Sequence, residues 1–472
     1  PLMSETVSIK KGADVELTIE SLAFGGMGVA HFGDMVTFVK NAIPGQKVNA
    51  RITKKRSSYL EAQSLEVLSE SPHFKDVKCE HFADCGGCTF QNLDYAKQIS
   101  AKEIQVQDVF RRIGRFPDAH CEPIIGCDEP FNYRNKMEFT FSNQEYVPEN
   151  EKERKPANFA LGLYSPGRWD KILTINKCHI QTTIANEILE AIKELSKDLE
   201  PYDMREHKGF LRNVMIRVGK NTDEVMVNIV TSREDESSLI PIRDSLISKF
   251  PSITSIVNNI TTRKSGVSMG EHQSVLYGNE YMLEKLGKYE FMVSADSFFQ
   301  TNTNQAEKLY DIVLEELKLT GREIVYDLFC GTGSISLYIS DHAKMVYGFE
   351  LAMPAVQDAM NNAIRNKVKN TWFFPGDLKD LFSKNPEVKD LEMPDVMIVD
   401  PPRVGLHANT IEDMLEKSPK RIVYVSCNPA TQARDVAILC SKKYKLARLR
   451  PVDMFPHTPH VENIATLILQ NP

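Results

Sequence analysis

Two residue types in this chain could make and then break a bond to carbon. Cys427, in Val-Ser-Cys-Asn-Pro, is a thiol in an irregular turn after an apolar run. Glu462 ends the polar segment Asp453-Met-Phe-Pro-His-Thr-Pro-His-Val-Glu462 and precedes another apolar run. A thiolate adds to an electron-poor carbon, and a carboxylate removes the proton that lets the thiol leave again. Together they can run a covalent cycle completed by general-base catalysis. A single cysteine is more often a small buried apolar side chain. Its placement at a strand end, with Asn428 and Pro429 breaking the strand, favours chemistry for Cys427. A thiolate also needs a lowered pKa or an adjacent base, and no sequence feature identifies that activator.

A second constellation reads as a nucleoside-cofactor site. The turn Asp327-Leu-Phe-Cys-Gly-Thr-Gly-Ser334 follows the apolar run 323–328 and opens a helical pattern. Gly331 and Gly333 permit a tight turn and close approach of the backbone to a ligand. Glu350 ends the next strand, 23 residues after Asp327, where an acid can accept from ribose hydroxyls. Asp377 follows the third strand and Asp400 the fourth, the latter in Asp-Pro-Pro-Arg. In open α/β sheets, ligands lie at the carboxyl ends of strands, where all these acids fall. A dinucleotide turn carries a third glycine, whereas position 336 is Ser, so a cofactor without pyrophosphate fits better.

Cys79, Cys85 and Cys88 form C-x5-C-x2-C, and Cys178 follows 89 intervening residues later in Asn-Lys-Cys-His. That spacing permits zinc or an iron–sulfur cluster. It is not the C-x3-C-x2-C of radical S-adenosylmethionine chemistry. Cys330 reads as packing, and Cys121, Cys127 and Cys440 carry no motif.

The elements that must hold these groups fall into three textures. Residues 1–70 read as a small β-barrel of about five strands, with runs at 14–19, 35–39 and 47–52 separated by turns such as Phe24-Gly-Gly-Met-Gly. Residues 71–292 mix strands and helices: a helix over 94–112, strands at 136–141, 214–218 and 225–230, and an exposed charged loop at 144–155. Helix 94–112 could pack on the catalytic unit. Residues 293–472 alternate helix and strand, from a helix at 304–318 through strands at 323–328, 345–349, 371–374, 396–399 and 422–425. Such alternation implies a parallel sheet covered on both faces, a Rossmann-like α/β domain. Runs 446–452 and 464–469 are close enough to pair as an antiparallel edge.

The 472 residues allow several domains, and the net charge of -7 gives no global sign of a nucleic-acid partner. Local basic runs carry that possibility: Arg51, Lys54, Lys55 and Arg56, then Arg205, Lys208, Arg212, Arg217 and Lys220. No segment is apolar enough for a membrane span, and residues 1–10 lack the basic and apolar regions of a signal peptide. A cytoplasmic protein without membrane contact is expected. Nothing sets the oligomeric state, for which a monomer is the default.

Asp-Leu-Phe-Cys-Gly-Thr-Gly, Asp-Pro-Pro-Arg, Val-Ser-Cys-Asn-Pro, Phe-Pro-His-Thr-Pro-His-Val-Glu and Asp296-Ser-Phe-Phe-Gln-Thr-Asn302 together resemble the RNA uracil-5-methyltransferase family. The resemblance spans essentially the whole chain. It implies transfer of a methyl group from S-adenosylmethionine to uracil C5, with Cys427 as nucleophile at C6 and Glu462 as the base that takes the C5 proton. It implies that Gln300, Phe329, Glu350 and Asp400 bind the cofactor. Ser334 and Asp377 stand where the resembling branch of the family often has Asn. It implies a [4Fe-4S] cluster on Cys79, Cys85, Cys88 and Cys178, with zinc as the alternative. The barrel resembles a TRAM domain, and Asn132-Tyr-Arg-Asn-Lys-Met-Glu-Phe139 resembles an RNA-facing signature. Barrel and cysteines together resemble the branch acting on large-subunit (23S) ribosomal RNA; transfer RNA and a non-catalytic RNA-binding or assembly role are the alternatives. Amino-group methylation fits less well, since it typically uses Asn-Pro-Pro-aromatic and would leave Cys427 idle.

Overall fold

Alternation of apolar and polar residues sets the first unit. In Lys47–Lys55, Val48, Ala50 and Ile52 are buried while Lys47, Arg51 and Thr53 face out, as a strand with one solvated face requires. The computed structural model describes residues 9–264 and 270–470, and the leader-free reading of residues 1–10 falls mostly outside them. Six strands form the N-terminal sheet, one more than the sequence pattern suggests, because Ser21–Leu22 is too short to show a period. Its two edge strands, Asp14–Thr18 and Ser21–Leu22, are separated by two residues, so one run of chain supplies both edges and the sheet closes as a barrel. Leu17, Ile19, Ala30, Val39, Val48, Ile52 and Leu60 fill it.

The central unit is a seven-stranded sheet in the order His272–Gly278, Ile253–Ile260, Val225–Thr231, Leu211–Val218, Lys136–Ser142, Ala160–Tyr164, Ile172–Thr174. Its single parallel pair, Val225–Thr231 with Ile253–Ile260, is joined by the helix Glu236–Lys249, the crossover a parallel connection needs. The segment at 144–155 is only partly the exposed loop expected. Glu145 is buried, held by Arg154 at 2.8 Å and by the Ala157 amide at 2.7 Å.

The third unit carries a seven-stranded sheet ordered Thr371–Pro375, Met345–Glu350, Ile324–Leu328, Val396–Val399, Arg421–Ser426, Glu462–Leu469, Tyr444–Val452. The first five run parallel, and Glu462–Leu469 is antiparallel to both its neighbours. Side chains alternate between two cores. Val325, Val346, Ile398 and Val423 pack on one face, with Tyr326, Tyr347, Met397 and Tyr424 on the other. Two pieces that lie wholly or mostly before residue 293 join these cores. The hairpin Tyr281–Leu286 and Tyr289–Ser294 contributes Met282, Phe291 and Val293 to the first. The helix Tyr95–Arg112 contributes Val106, Val109 and Phe110 to the second. No described helix is long and apolar enough to cross a membrane.

Candidate functional site

Strand order reverses between Ile324–Leu328 and Val396–Val399, and a crevice at such a switch point is where open α/β sheets take ligands. The loops on either side carry the expected groups. After Ile324–Leu328 the chain turns through Phe329 at φ 64°, Gly331 at 54° and Gly333 at 76°. A side chain at Gly333 would meet Phe373 at 2.9 Å and Ala359 at 3.0 Å, so glycine is required there for packing as well as for backbone shape. Phe329 has no such freedom and is held left-handed by its surroundings, the kind of strain that collects at ligand sites. Glu350 accepts from the Gly331 amide at 3.1 Å and the Ala352 amide at 2.9 Å. The turn and the acid therefore form one rigid piece.

The other acids differ in environment. Asp327 is buried, accepts from the Ser336 hydroxyl at 2.5 Å and is pushed up to about 7 by burial; it braces the turn from beneath. Asp377 is capped by Lys379, whose ammonium lies 2.9 Å away, and its carboxyl is held below the usual range by that partner. Burial raises the Asp400 carboxyl well above the usual range, and Glu462 and Asp327 add to the effect. Ser334 opens its helix with its hydroxyl 2.8 Å from that of Tyr310. Gln300 is buried, and the Asn135 amide donates to its carbonyl at 2.9 Å, tying the 296–302 segment to the central sheet.

Cys427 and Glu462 are brought together by sheet register. Arg421–Ser426 pairs antiparallel with Glu462–Leu469, and the last pair is Ser426 with Asn463. The ladder ends there, so Cys427 leaves one strand where Glu462 enters the other, and the Glu462 carboxyl acts on the Cys427 thiol. Glu462 is thus the first residue of the returning strand, not part of the polar loop before it. Burial pushes its carboxyl up to about 7, with Arg403 pulling down. The Cys427 thiol is raised chiefly by burial and then by Glu462, while Arg403 acts to lower it. A thiol and a carboxyl on one rim can act on neighbouring atoms of one bound ring.

Arg403 is a residue the sequence reading passed over, although it closes the Asp-Pro-Pro-Arg motif. Its carbonyl accepts from the Asn428 side chain at 2.9 Å and the Thr431 hydroxyl at 3.1 Å, so its loop is laced to the thiol's. Asn428 also caps the helix Pro429–Lys442, leaving Cys427 just ahead of a helix N-terminus, whose partial positive charge favours a thiolate. Beneath the pair, the buried Gln432 amide donates to the Tyr424 and Asn463 carbonyls at 2.7 and 3.0 Å and accepts from Asn463 at 2.8 Å. That network locks the two strands to the helix.

Cys79, Cys85, Cys88 and Cys178 line one small pocket with Phe82, Met137, Leu163 and Ile175. Burial raises all four thiols, with smaller contributions from one another for Cys79, Cys85 and Cys88. Among the described residues, no three His, Cys, Asp or Glu are arranged to hold a metal ion. The donor chemistry itself, four thiols with no carboxylate on the lining, suits a soft metal.

The RNA-facing expectations divide. Tyr133 is buried, its hydroxyl donating to the Pro456 carbonyl at 3.0 Å, while Arg134 and Lys136 line a cavity of about 730 Å³ between the central sheet and the catalytic loops. The 205–220 run is not one surface patch: Arg205 and Lys208 are exposed, whereas Arg212 and Arg217 are buried. In the barrel, Arg51 pairs with Asp14 and Lys54 with Glu61, which spends much of that run's charge locally.

Comparison with known proteins places this arrangement. The profile described as tRNA (Uracil-5-)-methyltransferase matches residues 258–470, and the TRAM domain profile matches residues 10–65. An RNA methyltransferase of Chlorobaculum tepidum is 38% identical over 98% of both chains. One from Porphyromonas gingivalis is 40% identical over 96% of this chain and 99% of its own. The crystal structure of Pyrococcus abyssi tRNA (uracil-54, C5)-methyltransferase in complex with S-adenosyl-L-homocysteine superposes with a TM-score of 0.75, at 28% identity, covering 96% of this chain and 100% of that one. With the glycine turn, the acids on the strand rim and the thiol–carboxyl pair all on one crevice, the chain belongs to the S-adenosylmethionine-dependent RNA uracil-5-methyltransferase family and carries an N-terminal TRAM domain.

Proposed function

We propose that this enzyme methylates uridine C5 through a transient bond between Cys427 and C6 of the base. What supports the reading is that Cys427 follows the end of one strand where Glu462 begins its antiparallel neighbour, with the Glu462 carboxyl acting on the Cys427 thiol. Uracil C5 is a poor nucleophile. Addition of the Cys427 thiolate at C6 breaks the C5–C6 double bond and makes an enolate whose C5 carbon can attack. Bound S-adenosylmethionine supplies the methyl group. Glu462 then takes the C5 proton, the double bond re-forms, and the C6–S bond breaks to return the thiolate. Arg403 stabilises the thiolate at the start and the end of this cycle. The target base must leave its stack to reach the rim. Gln300, Phe329, Ser334, Glu350, Asp377 and Asp400 are assigned to the cofactor crevice, Glu350 to the ribose hydroxyls and Asp400 to the methyl-donor end nearest the pair.

Cys427→Ala is expected to abolish 5-methyluridine formation while leaving S-adenosylmethionine affinity within about twofold. Glu462→Gln is expected to trap a denaturant-resistant RNA–protein adduct on gels. Methylation by Cys427→Ala, or no adduct with Glu462→Gln, would sink the covalent cycle.

We assign 23S ribosomal RNA as the target, on the resemblance of the barrel and cysteine segment to that branch. Transfer RNA is the second reading. The Pyrococcus abyssi tRNA (uracil-54, C5)-methyltransferase aligns over 96% of this chain, so a barrel and central unit by themselves do not separate the two substrates. Mapping 5-methyluridine in both RNAs from a deletion strain decides between them. For Cys79, Cys85, Cys88 and Cys178 the proposal is a structural [4Fe-4S] cluster, supported by four thiols on one small pocket. Anaerobically purified protein should be brown and iron-bearing; a colourless protein holding one zinc would replace the cluster with a zinc site.

A further inference from the structure

The strand Leu211–Val218 carries an arginine in a buried position, where apolar residues dominate. Arg217 is 3% exposed. Its Nη2 donates to the Ser297 carbonyl at 2.9 Å, but Nε and Nη1 have no acceptor. A buried guanidinium with unfilled donors is costly, because each donor has given up water without a replacement. The sheet register adds to the cost. Arg217 stands directly opposite Lys136, and like charges so opposed repel. Glu138, on the same face two residues on, bridges to Lys136 at 2.8 Å. Glu138 and Asp296 attract Arg217 without filling its free nitrogens.

This side chain lies on the wall of the 730 Å³ cavity, beside Arg134, Lys136 and Phe298. The cavity is of a size that holds small ligands. Arg134, Lys136 and Arg217 against Glu138 and Asp296 leave one surplus positive charge. Phe298, 71% exposed, stands beside it as a surface on which a base can stack. The established substrate of the family is RNA, which brings oxygen acceptors and one negative charge per linkage.

We propose that Arg217 is the receptor for one phosphodiester of the RNA, held in this cavity next to the catalytic rim. A phosphodiester supplies acceptors for Nε and Nη1 and balances the surplus charge. The edge of a neutral base would supply the acceptors and leave the charge. Arginine suits the role better than lysine, because its planar fork can meet two phosphate oxygens at once. The inference rests on RNA being the substrate, and not on the identity of the target base or on the covalent cycle.

The test is binding of a single-stranded, uridine-containing RNA as a function of salt, with no methylation readout. Arg217→Met should bind about tenfold more weakly at ~0.1 M salt and lower the slope of log affinity against log salt by about 1. The same variant should melt no lower than wild type without RNA, since an unfilled buried charge has been removed. The slope decides: a folded Arg217→Met with the wild-type slope and affinity overturns the proposal. Should that variant not fold, Arg217→Lys takes its place. It should keep the slope and lose about threefold in affinity, since the charge remains and the fork does not; wild-type affinity overturns the proposal. Absence of 5-methyluridine from the wild-type reaction would remove the uracil reading alone and leave the Arg217 result standing.

Discussion

At the scale of single residues, the proposed base Glu462 is expected to set the pH behaviour. A carboxyl group serves as a base only when ionised, and burial pushes this one up to about 7. Turnover is therefore expected to rise as pH increases through about 7, measured as kcat in single-pH assays; a flat profile there would deny Glu462 the role. Stability runs the other way. A folded-state pKa above the unfolded value means the native form holds the proton more tightly, so the contribution is full below the ordinary carboxyl range and is lost as pH rises through about 7. Glu462→Gln should accordingly melt higher than wild type at alkaline pH. Arg403 acts on the partner. Burial and Glu462 raise the Cys427 thiol, Arg403 counters them, and Arg403→Gln should slow alkylation of Cys427 by iodoacetamide about threefold or more. An unchanged alkylation rate would show that the guanidinium does not act on the thiol. The placement of Cys427 and Glu462 at strand ends was legible in the sequence, because an apolar run adjoins each. Arg403 was not, because a charged residue in a loop after two prolines looks solvated until tertiary structure places it against Cys427.

At the scale of elements, the loop 453–461 is what delivers Glu462 to its strand, and almost none of its anchoring is visible from sequence. Lys102 and Asp453 form an ion pair at 2.6 Å, at 1% and 0% exposure, across 351 positions of chain. Lys102 also donates to the Phe455 carbonyl at 3.1 Å, and Tyr95 donates to Asp453 at 2.8 Å. From the catalytic side, Asn302 and Gln305 donate to the carbonyls of Met454 and Asp453 at 3.1 and 2.9 Å. From the cysteine segment, the amides of Thr89 and Phe90 donate to His457 at 2.8 and 3.0 Å. Burial pushes the His457 imidazole down to about 4, so it stays neutral against Phe131, whose ring centre is 4.2 Å away. Helical periodicity places 94–112 as a helix, but it cannot say that a lysine on its buried face reaches a partner near the other end of the chain. Lys102→Met leaves the buried Asp453 without its counter-ion and should cost about 3–5 kcal/mol in denaturant melts. Adding Asp453→Asn should recover part of that loss, a coupling of about 1 kcal/mol or more in a double-mutant cycle. Strictly additive losses would mean that the pair does not hold the loop.

At the scale of the whole molecule, the same loop is where all three units meet, and this explains which parts of the organisation the sequence could announce. Barrel and Rossmann-like sheet were legible because each repeats a period many times: strands of alternating burial in one, apolar runs separated by helices in the other. The meeting point rests on single contacts with no period. The barrel's Gly26 is one of them. It adopts φ 94°, and a Cβ there would lie 3.0 Å from Pro459 and 3.1 Å from Phe90. Leu22 and Ile43 of the barrel share a buried cluster with Phe90 and Leu93, so this face is a packed joint between the TRAM domain and the cysteine segment. Any side chain at position 26 is strained in itself and pushes on the loop that carries Glu462. Gly26→Val is therefore expected to lower the melting temperature by several degrees and to reduce kcat for RNA methylation by about tenfold or more. S-adenosylmethionine affinity should stay within about twofold, because Gly331, Glu350 and Asp400 all belong to the third unit. Calorimetric cofactor titration beside steady-state methylation separates the two effects. A variant with wild-type kcat would mean that the barrel is tethered to the catalytic loop without positioning it, and equal loss of cofactor affinity would mean that the disturbance spreads through the whole catalytic sheet.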